Sequence, residues 1–324
     1  TRARTSFFLS EVFLMSTLDF GGKIKTLRLS KSMTQEQLAQ RLRVSPQAVS
    51  KWENGVTLPD IQLLPELSIL LGAGNGANAY VVENSDVVLG ANDRAQLHIL
   101  NEILRHKIMH QWMVDGVDIP CTDGVMIADT VQIGTGTTIL PGTILLGNTT
   151  IGKDCLIGPN TYIMDGTVGN GVTLDNVKLT DSTVEDGADA GPFVQIRGGS
   201  VLHTGVHIGD FVEVKNSTVG AGTKSAHLTY IGDSDVGAGV NFGCGTVTVN
   251  YDGKNKRRCK IGDGAFIGCN TNLVAPVEVG DRAYIAAGST ITDDIPGDAL
   301  SIARARQVNK PGWVTKKKPY KEKK

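Results

Sequence analysis

The chain has 324 residues, 40% of them hydrophobic and 20% charged, with a net charge of −1. That length allows two domains, and the balance forces neither disorder, nor a membrane, nor nucleic acid on the molecule as a whole. No run of about 18 apolar residues occurs, so no bilayer-spanning helix is expected. Glycine numbers 39, nearly all after residue 70, and aromatics are only 5%, which is low for one large core. Cys121, Cys155, Cys244, Cys259 and Cys269 are odd in number and include no CxxC pair. Neither a disulfide framework nor a zinc knuckle is expected, and the cytoplasm is the expected compartment.

Residues 1–20 read as a leader. Arg2, Arg4 and Phe7-Phe8-Leu9 resemble a secretory signal, but Glu11 interrupts the apolar part and no small-x-small cleavage site follows. Met15 is the expected start.

Residues 21–72 carry a helical pattern through Ile24, Leu27, Leu29, Met33, Leu38, Leu42, Val44, Val49 and Trp52. Thr34 followed by Gln37 gives a capping box, and Ser45-Pro46 supplies a second cap with proline at the first helical position. Helices are therefore expected over 34–42 and 46–53, with a tight turn at Arg43-Val44. The stretch Met33 to Gly55 resembles the Cro/repressor-type helix-turn-helix family. In such proteins the second helix enters the major groove of DNA. By that resemblance Gln47, Ser50 and Lys51 face bases and Gln35 touches a phosphate.

Residues 73–116 read as a junction. Ala73 to Asn78 is a flexible linker, Tyr80–Leu89 a short strand, and Asp93 to Val114 a helix with Leu97, Leu100, Leu104, Ile108 and Trp112 on one face. His106 and His110 are spaced i, i+4, but no third ligand is near, so no metal site is expected.

From 117 to 300 the chain falls into hexads. A branched apolar residue recurs ahead of glycine at Ile133, Ile151, Ile157, Ile208, Ile231, Ile261, Ile267 and Val279, and the period continues through Ile139 and Ile163. This is the hexapeptide-repeat signature of a left-handed parallel β-helix. The fold class is therefore mainly β, a β-helix preceded by a small all-α helix-turn-helix domain. Three hexads make one coil, so residues 18 apart are expected to stack at one strand spacing of about 4.8 Å. Arg197 and Lys215 obey that spacing and would form a phosphate site. Cys269 and Ala287 obey it as well and would leave a slot for an extended ligand. Asn250 to Arg258 breaks the repeat and must leave the coil as a loop, where repeat proteins place binding residues.

Six passages resemble the C-terminal half of the GlmU family, the bifunctional glucosamine-1-phosphate N-acetyltransferase / N-acetylglucosamine-1-phosphate uridylyltransferases. They are Gly191-Pro-Phe-Val-Gln-Ile-Arg197, Gly209 to Lys215, Ala226-His-Leu-Thr-Tyr-Ile-Gly-Asp233, Asn241 to Thr246 with Val249 to Lys254, Leu273-Val-Ala-Pro276 with Ile285 to Ser289, and Ala303-Arg-Ala-Arg-Gln307. The resemblance implies a cytoplasmic homotrimer that moves acetyl from acetyl-CoA to the amine of glucosamine 1-phosphate, feeding UDP-N-acetylglucosamine and cell-wall synthesis. It makes His227 the general base. Arg197, Lys215, Tyr230 and Asn241 become sugar-phosphate ligands, and Cys244, Asn250, Tyr251, Cys269, Ala287 and Arg304 contact acetyl-CoA. A histidine with an ordinary pKa near 6.5 suits deprotonation of an attacking amine, and a ternary complex needs no covalent intermediate.

The departures are as informative. The family's glycine-rich nucleotide loop has no counterpart, and only Val87 to Arg94 resembles the end of its uridylyltransferase half. Asn92 matches a magnesium ligand there without its partner aspartate, so neither uridylyl transfer nor Mg²⁺ is expected. Residues 301–324 form a C-terminal segment ending in the basic run Lys316 to Lys324, a solvated tail that in the family can lie near CoA phosphates. Two rival readings stand beside the enzyme. One is a DNA-binding transcriptional regulator whose β-helix senses an amino sugar or CoA, acting through residues 34–55. The other is a fusion in which one half is unused.

Overall fold

The computed structural model describes residues 20–72 and 90–319. The leader up to residue 19, the expected linker 73–78, the expected strand Tyr80–Leu89 and the end of the basic tail lie outside the described residues. The chain divides into two compact units, residues 1–88 and 89–324.

The first unit is helical: α1 (Phe20–Ser30), α2 (Gln35–Leu42), α3 (Pro46–Glu53), a 3₁₀ turn (Ile61–Leu63) and α4 (Leu64–Leu71). The caps form as the sequence predicts. Thr34 Oγ1 accepts from the Gln37 N–H at 3.1 Å, and the Gln37 side chain accepts from the Thr34 N–H at 2.8 Å. Two otherwise orphaned donors are thereby satisfied. Ser45 Oγ accepts from the Ala48 N–H at 3.2 Å. Arg43, at φ 57, turns the chain between α2 and α3.

Ile24, Leu38, Leu42, Val49, Trp52, Leu67 and Leu71 form the core of this unit. Leu29 does not join them and is 56% exposed. It follows Arg28, whose side chain points inward to Glu53, and one residue along a helix turns the next side chain about 100° away. Gly21 is required where it stands, because a Cβ there would meet the Trp52 carbonyl oxygen at 2.4 Å. Its bareness lets α1 sit directly against the end of α3.

The second unit is a parallel β-solenoid with three faces, sheets of ten, nine and ten strands. Each strand pairs with the strand one coil away, so that Ile133 lies beside Ile151, Ile139 beside Ile157 and Ile267 beside Ile285. The hexad residues named above are all buried and fill the interior. Each contributes roughly 1.5–3 kcal/mol by leaving water. Interior threonines are satisfied locally: Thr137 Oγ1 donates to the Gly152 carbonyl at 2.8 Å and accepts from the Cys155 N–H at 3.1 Å.

The expected uniform period of 18 needs correction. Met126 pairs with Ile144, 18 on, but Tyr162 pairs with Lys178, 16 on, and Lys178 with Gln195, 17 on. The corners absorb the shortfall. A one-residue slip inside a strand would turn every interior side chain outward, whereas a shortened corner leaves the faces in register.

Helix α5 (Arg94–Val114) is capped by Asp93, whose Oδ1 accepts from the Gln96 N–H at 2.8 Å. It belongs to the solenoid unit. Met109 is buried in the solenoid core, and Ile108 and Trp112 pack against it. The expected apolar face is buried only near its C-terminal end: Leu97 and Leu104 are 49% and 53% exposed. Arg105 fixes the helix to the first coil by donating to the Thr122 carbonyl at 3.0 Å. Among the described residues no helix is long and apolar enough to cross a membrane.

Candidate active site

Two faces meet at the corner that carries most of the candidate residues. One holds the strands Val194–Arg197, Glu213–Lys215, Tyr230–Gly232 and Val247–Val249. The other holds Lys224–His227 and Asn241–Phe242. His227 ends its strand, paired with Asp210 on the preceding coil, and is exposed. Leu228 turns the corner at φ 34, and Tyr230 opens the strand on the next face.

Arg197 and Lys215 are neighbours in register, as their spacing predicts. The structure adds a carboxylate to each. Arg197 donates from Nε and Nη2 to Glu213 Oε1 at 2.8 and 2.5 Å, and the pair is open to solvent. The Lys215 ammonium lies 3.4 and 3.3 Å from Asp233 Oδ1 and Oδ2. Asp233 is 3% exposed. It also accepts from Asn216 Nδ2 at 2.5 Å and from Asn250 Nδ2. Burial works against its charge, but the Asn216, Lys215 and Asn250 donors outweigh burial and hold the carboxyl below its usual value. Burial likewise works against the Lys215 charge, and the contacts around it, Asp233 among them, leave its pKa above the ordinary lysine value.

Tyr230 joins this network through its hydroxyl, 3.3 Å from Asn250 Nδ2. Gly232 makes that possible. A Cβ at Gly232 would come within 2.3 Å of the Tyr230 ring, so the ring lies across a residue with no side chain.

The loop expected from Asn250 to Arg258 does leave the coil, and it is held at both ends. Asn250 grips Asp233, while Arg258 pairs with Asp235 (Nη2 to Oδ1 2.5 Å) and donates from Nη1 to the Asn216 carbonyl at 3.0 Å. Its tip is a tight turn in which Asp252 Oδ1 accepts from the Lys254 and Asn255 N–H groups. Tyr251 is exposed on this loop.

The remaining candidates continue along the corner of His227. The Gly245 N–H donates to the Leu228 carbonyl at 2.9 Å, the Asn270 N–H to the Cys244 carbonyl at 2.8 Å and the Gly288 N–H to the Cys269 carbonyl at 2.8 Å. His227, Cys244, Cys269 and Ala287 therefore mark one corner on four successive coils. A Cβ at Gly288 would lie 3.5 Å from Arg304 Cδ, so Arg304 continues the column. Cys244 and Cys269 are exposed thiols. Asn241 lies on the His227 face, in register with Lys224.

Asp233 and Glu213 carry no motif signal of their own. Asp233 is 18 residues from Lys215, so the spacing that stacked Lys215 on Arg197 also points to it.

In the helical unit Gln47 and Lys51 are exposed on α3 and Ser50 is half-buried beside them. Gln35, the expected phosphate contact, donates its amide to Glu53 Oε2 at 2.8 Å. That contact completes a buried pair in which Arg28 Nε lies 2.5 Å from Glu53 Oε1.

Comparison with known proteins agrees with both units. Residues 24–73 match a helix-turn-helix family, 258–293 a bacterial transferase hexapeptide family of six repeats, and 148–176 a hexapeptide repeat of succinyl-transferase. The bifunctional protein GlmU of Geobacillus sp. is 48% identical over 268 residues, which is 83% of this chain and 58% of that protein. The Streptococcus agalactiae serotype V protein of that name is 48% identical over 251 residues, 78% of this chain and 55% of that one. The Acetivibrio thermocellus protein is 44% identical over 276 residues, 85% and 60% respectively. The chain thus spans somewhat over half the length of the curated relatives it matches.

Proposed function

Because the chain is a homologue of the bifunctional GlmU proteins across about four fifths of its own length, we propose that its solenoid is a glucosamine-1-phosphate N-acetyltransferase using acetyl-CoA as co-substrate. The observation that carries the reading is the corner itself. An exposed histidine heads a corner column that continues through Cys244, Cys269 and Ala287, and the adjoining face carries Arg197 and Lys215. A sugar phosphate fits the cationic face and the extended arm of a thioester donor fits the column. The phosphate binds against Lys215 and Arg197, displacing Glu213 from the solvent-open Arg197 pair, while Tyr230 and Asn241 orient the sugar. Asn250, Tyr251 and Arg304 hold the donor.

The chemistry then needs one proton acceptor. The substrate amine attacks the thioester carbonyl carbon as His227 takes its proton. The tetrahedral intermediate collapses, the C–S bond breaks, and the CoA thiolate leaves and is protonated. A resident metal has no part in this scheme.

The reading includes a homotrimer. Phe193, Phe211 and Leu228 are 58%, 59% and 59% exposed. All three adopt left-handed φ, and the two phenylalanine rings stack at 5.3 Å. Bulky apolar residues in that conformation are strained and exposed at once, which supports their being covered by a second copy.

Thiol release from acetyl-CoA on adding glucosamine 1-phosphate tests the reaction. We expect saturable release that falls by at least about a hundredfold in His227→Ala; an unchanged rate in that variant would overturn the mechanism.

A second reading concerns the helical unit alone. Exposed Gln47 and Lys51 on a capped second helix favour DNA binding through residues 34–55. Retention on DNA should weaken as salt rises and fall further in a Gln47→Ala/Lys51→Ala variant. Retention indifferent to both would remove this reading.

A further inference from the structure

We propose that Asp233 is a positioning residue that couples the acceptor half of the site to the donor half, by holding Lys215 and Asn250 on one buried carboxylate. The inference rests on the acetyltransferase reading for the roles of Lys215 and Asn250. The geometry is independent of it.

Asp233 has no surface to offer a ligand, being 3% exposed. Its oxygens are spent on Lys215 Nζ at 3.3 and 3.4 Å, Asn216 Nδ2 at 2.5 Å and Asn250 Nδ2. Its backbone is committed as well. The N–H donates to the Lys215 carbonyl at 2.9 Å, and the carbonyl accepts from the Cys259 N–H at 3.2 Å. The same residue therefore touches the strand that carries the acceptor-side cation, the first residue of the donor-side loop and the strand to which that loop returns. Asn250 passes the link on to the Tyr230 hydroxyl at 3.3 Å.

Only a carboxylate fits this position. A carboxylate is an acceptor on both oxygens, with about four lone-pair sites. Every side-chain group facing it here, one ammonium and two carboxamide NH₂ groups, is a donor. Asparagine would keep the shape and tolerate the left-handed backbone, φ 47 at this residue. It would, however, turn one acceptor into a donor among donors. Lys215 would lose its counter-charge, and Asn250 or Asn216 would lose its acceptor.

Steady-state kinetics of Asp233→Asn in the full chain decide the matter. The KM for glucosamine 1-phosphate and the KM for acetyl-CoA should rise together, each roughly tenfold, the order expected for a lost charge-assisted contact. The kcat, which depends on His227, should stay within about threefold. A merely structural role would lower kcat by reducing the active fraction and leave both KM values unchanged, which would overturn the inference. Should Asp233→Asn fold poorly, Asp233→Asn/Lys215→Met removes the unpaired charge and should keep the raised KM for acetyl-CoA. An unaltered KM for acetyl-CoA in that double variant also overturns the inference.

Calorimetric titration with CoA alone separates this inference from the proposed reaction. If wild-type protein transfers no acetyl group but CoA binds it about tenfold tighter than Asp233→Asn, the reaction falls and the coupling through Asn250 stands. Equal affinity in the two proteins overturns the coupling whatever the reaction.

Discussion

The helical unit and the solenoid each contain a buried carboxylate paired with a cation, and the difference between the pairs separates structure from chemistry. Among the described residues Arg28, Glu53 and Asp233 are the only buried charged side chains. In the helical unit both partners are inside, 6% and 7% exposed, and Gln35 completes a closed arrangement. Such a pair fixes α1 against α3 and has nothing left to offer a ligand. In the solenoid only the acid is inside. Lys215 keeps 15% of its side chain exposed, next to the solvent-open Arg197. A buried carboxylate behind a partly exposed cation leaves that cation within reach of a ligand. The same two residue types thus build a core in one unit and a binding face in the other.

The sharpest way to test that contrast is to damage each unit separately. In the solenoid, His227→Ala should cut acetyl transfer by about 10²–10⁴-fold while the thermal unfolding profile stays as it was. In the helical unit, Glu53→Gln leaves Arg28 buried and unpaired and should cost that unit about 3–5 kcal/mol, read by circular dichroism at the helical wavelengths. Acetyl transfer should persist in Glu53→Gln. Its loss would mean that the two pairs are not separable, and the comparison would fail.

A pH titration sharpens the solenoid side. The folded pKa of Asp233 is depressed, so the stability it contributes is present above its unfolded value, near 4, and drains as pH falls through the lower folded value. The folded pKa of Lys215 is raised, so its contribution is present below its unfolded value and is lost only as pH rises through the higher folded one. Acid unfolding of Asp233→Asn should therefore depend less steeply on pH below about 4 than that of the wild type. Curves of equal slope would contradict the assignment. The smallest effect belongs to the cap of α2: Thr34→Ala should lower the midpoint of the helical unit's unfolding by an amount equivalent to about 1 kcal/mol.

Local rules carried much of this into view. Thr34 with Gln37 and Ser45 with Pro46 set two helix starts because capping depends on residues within one turn. The hexads set the solenoid because each coil repeats one steric problem, and Arg197 stacked on Lys215 follows from that repeat. What stayed hidden depends on contacts between coils and on where packing ends. Leu29, Leu97 and Leu104 read as core and are exposed, because an apolar residue needs a surface opposite it as well as the right helical phase. The 16- and 17-residue coils hide in corners that carry no periodic signal. The Gln35 amide reaches Glu53, 18 residues on, a contact that no local rule announces. Asp233 sits in an ordinary corner tripeptide, Ile231-Gly-Asp, and its grip on Asn250 crosses from one coil to the base of an inserted loop.

The most direct test of the central claim follows the acetyl group itself. The full chain is incubated with glucosamine 1-phosphate and acetyl-CoA labelled with ¹³C at the acetyl carbonyl, and the carbonyl resonance is recorded with time. We expect the thioester signal to decay into an amide signal over many turnovers in the wild type, and at least about a hundredfold more slowly with His227→Ala. A wild-type spectrum in which the thioester persists, or equal amide formation by both proteins, would contradict that claim.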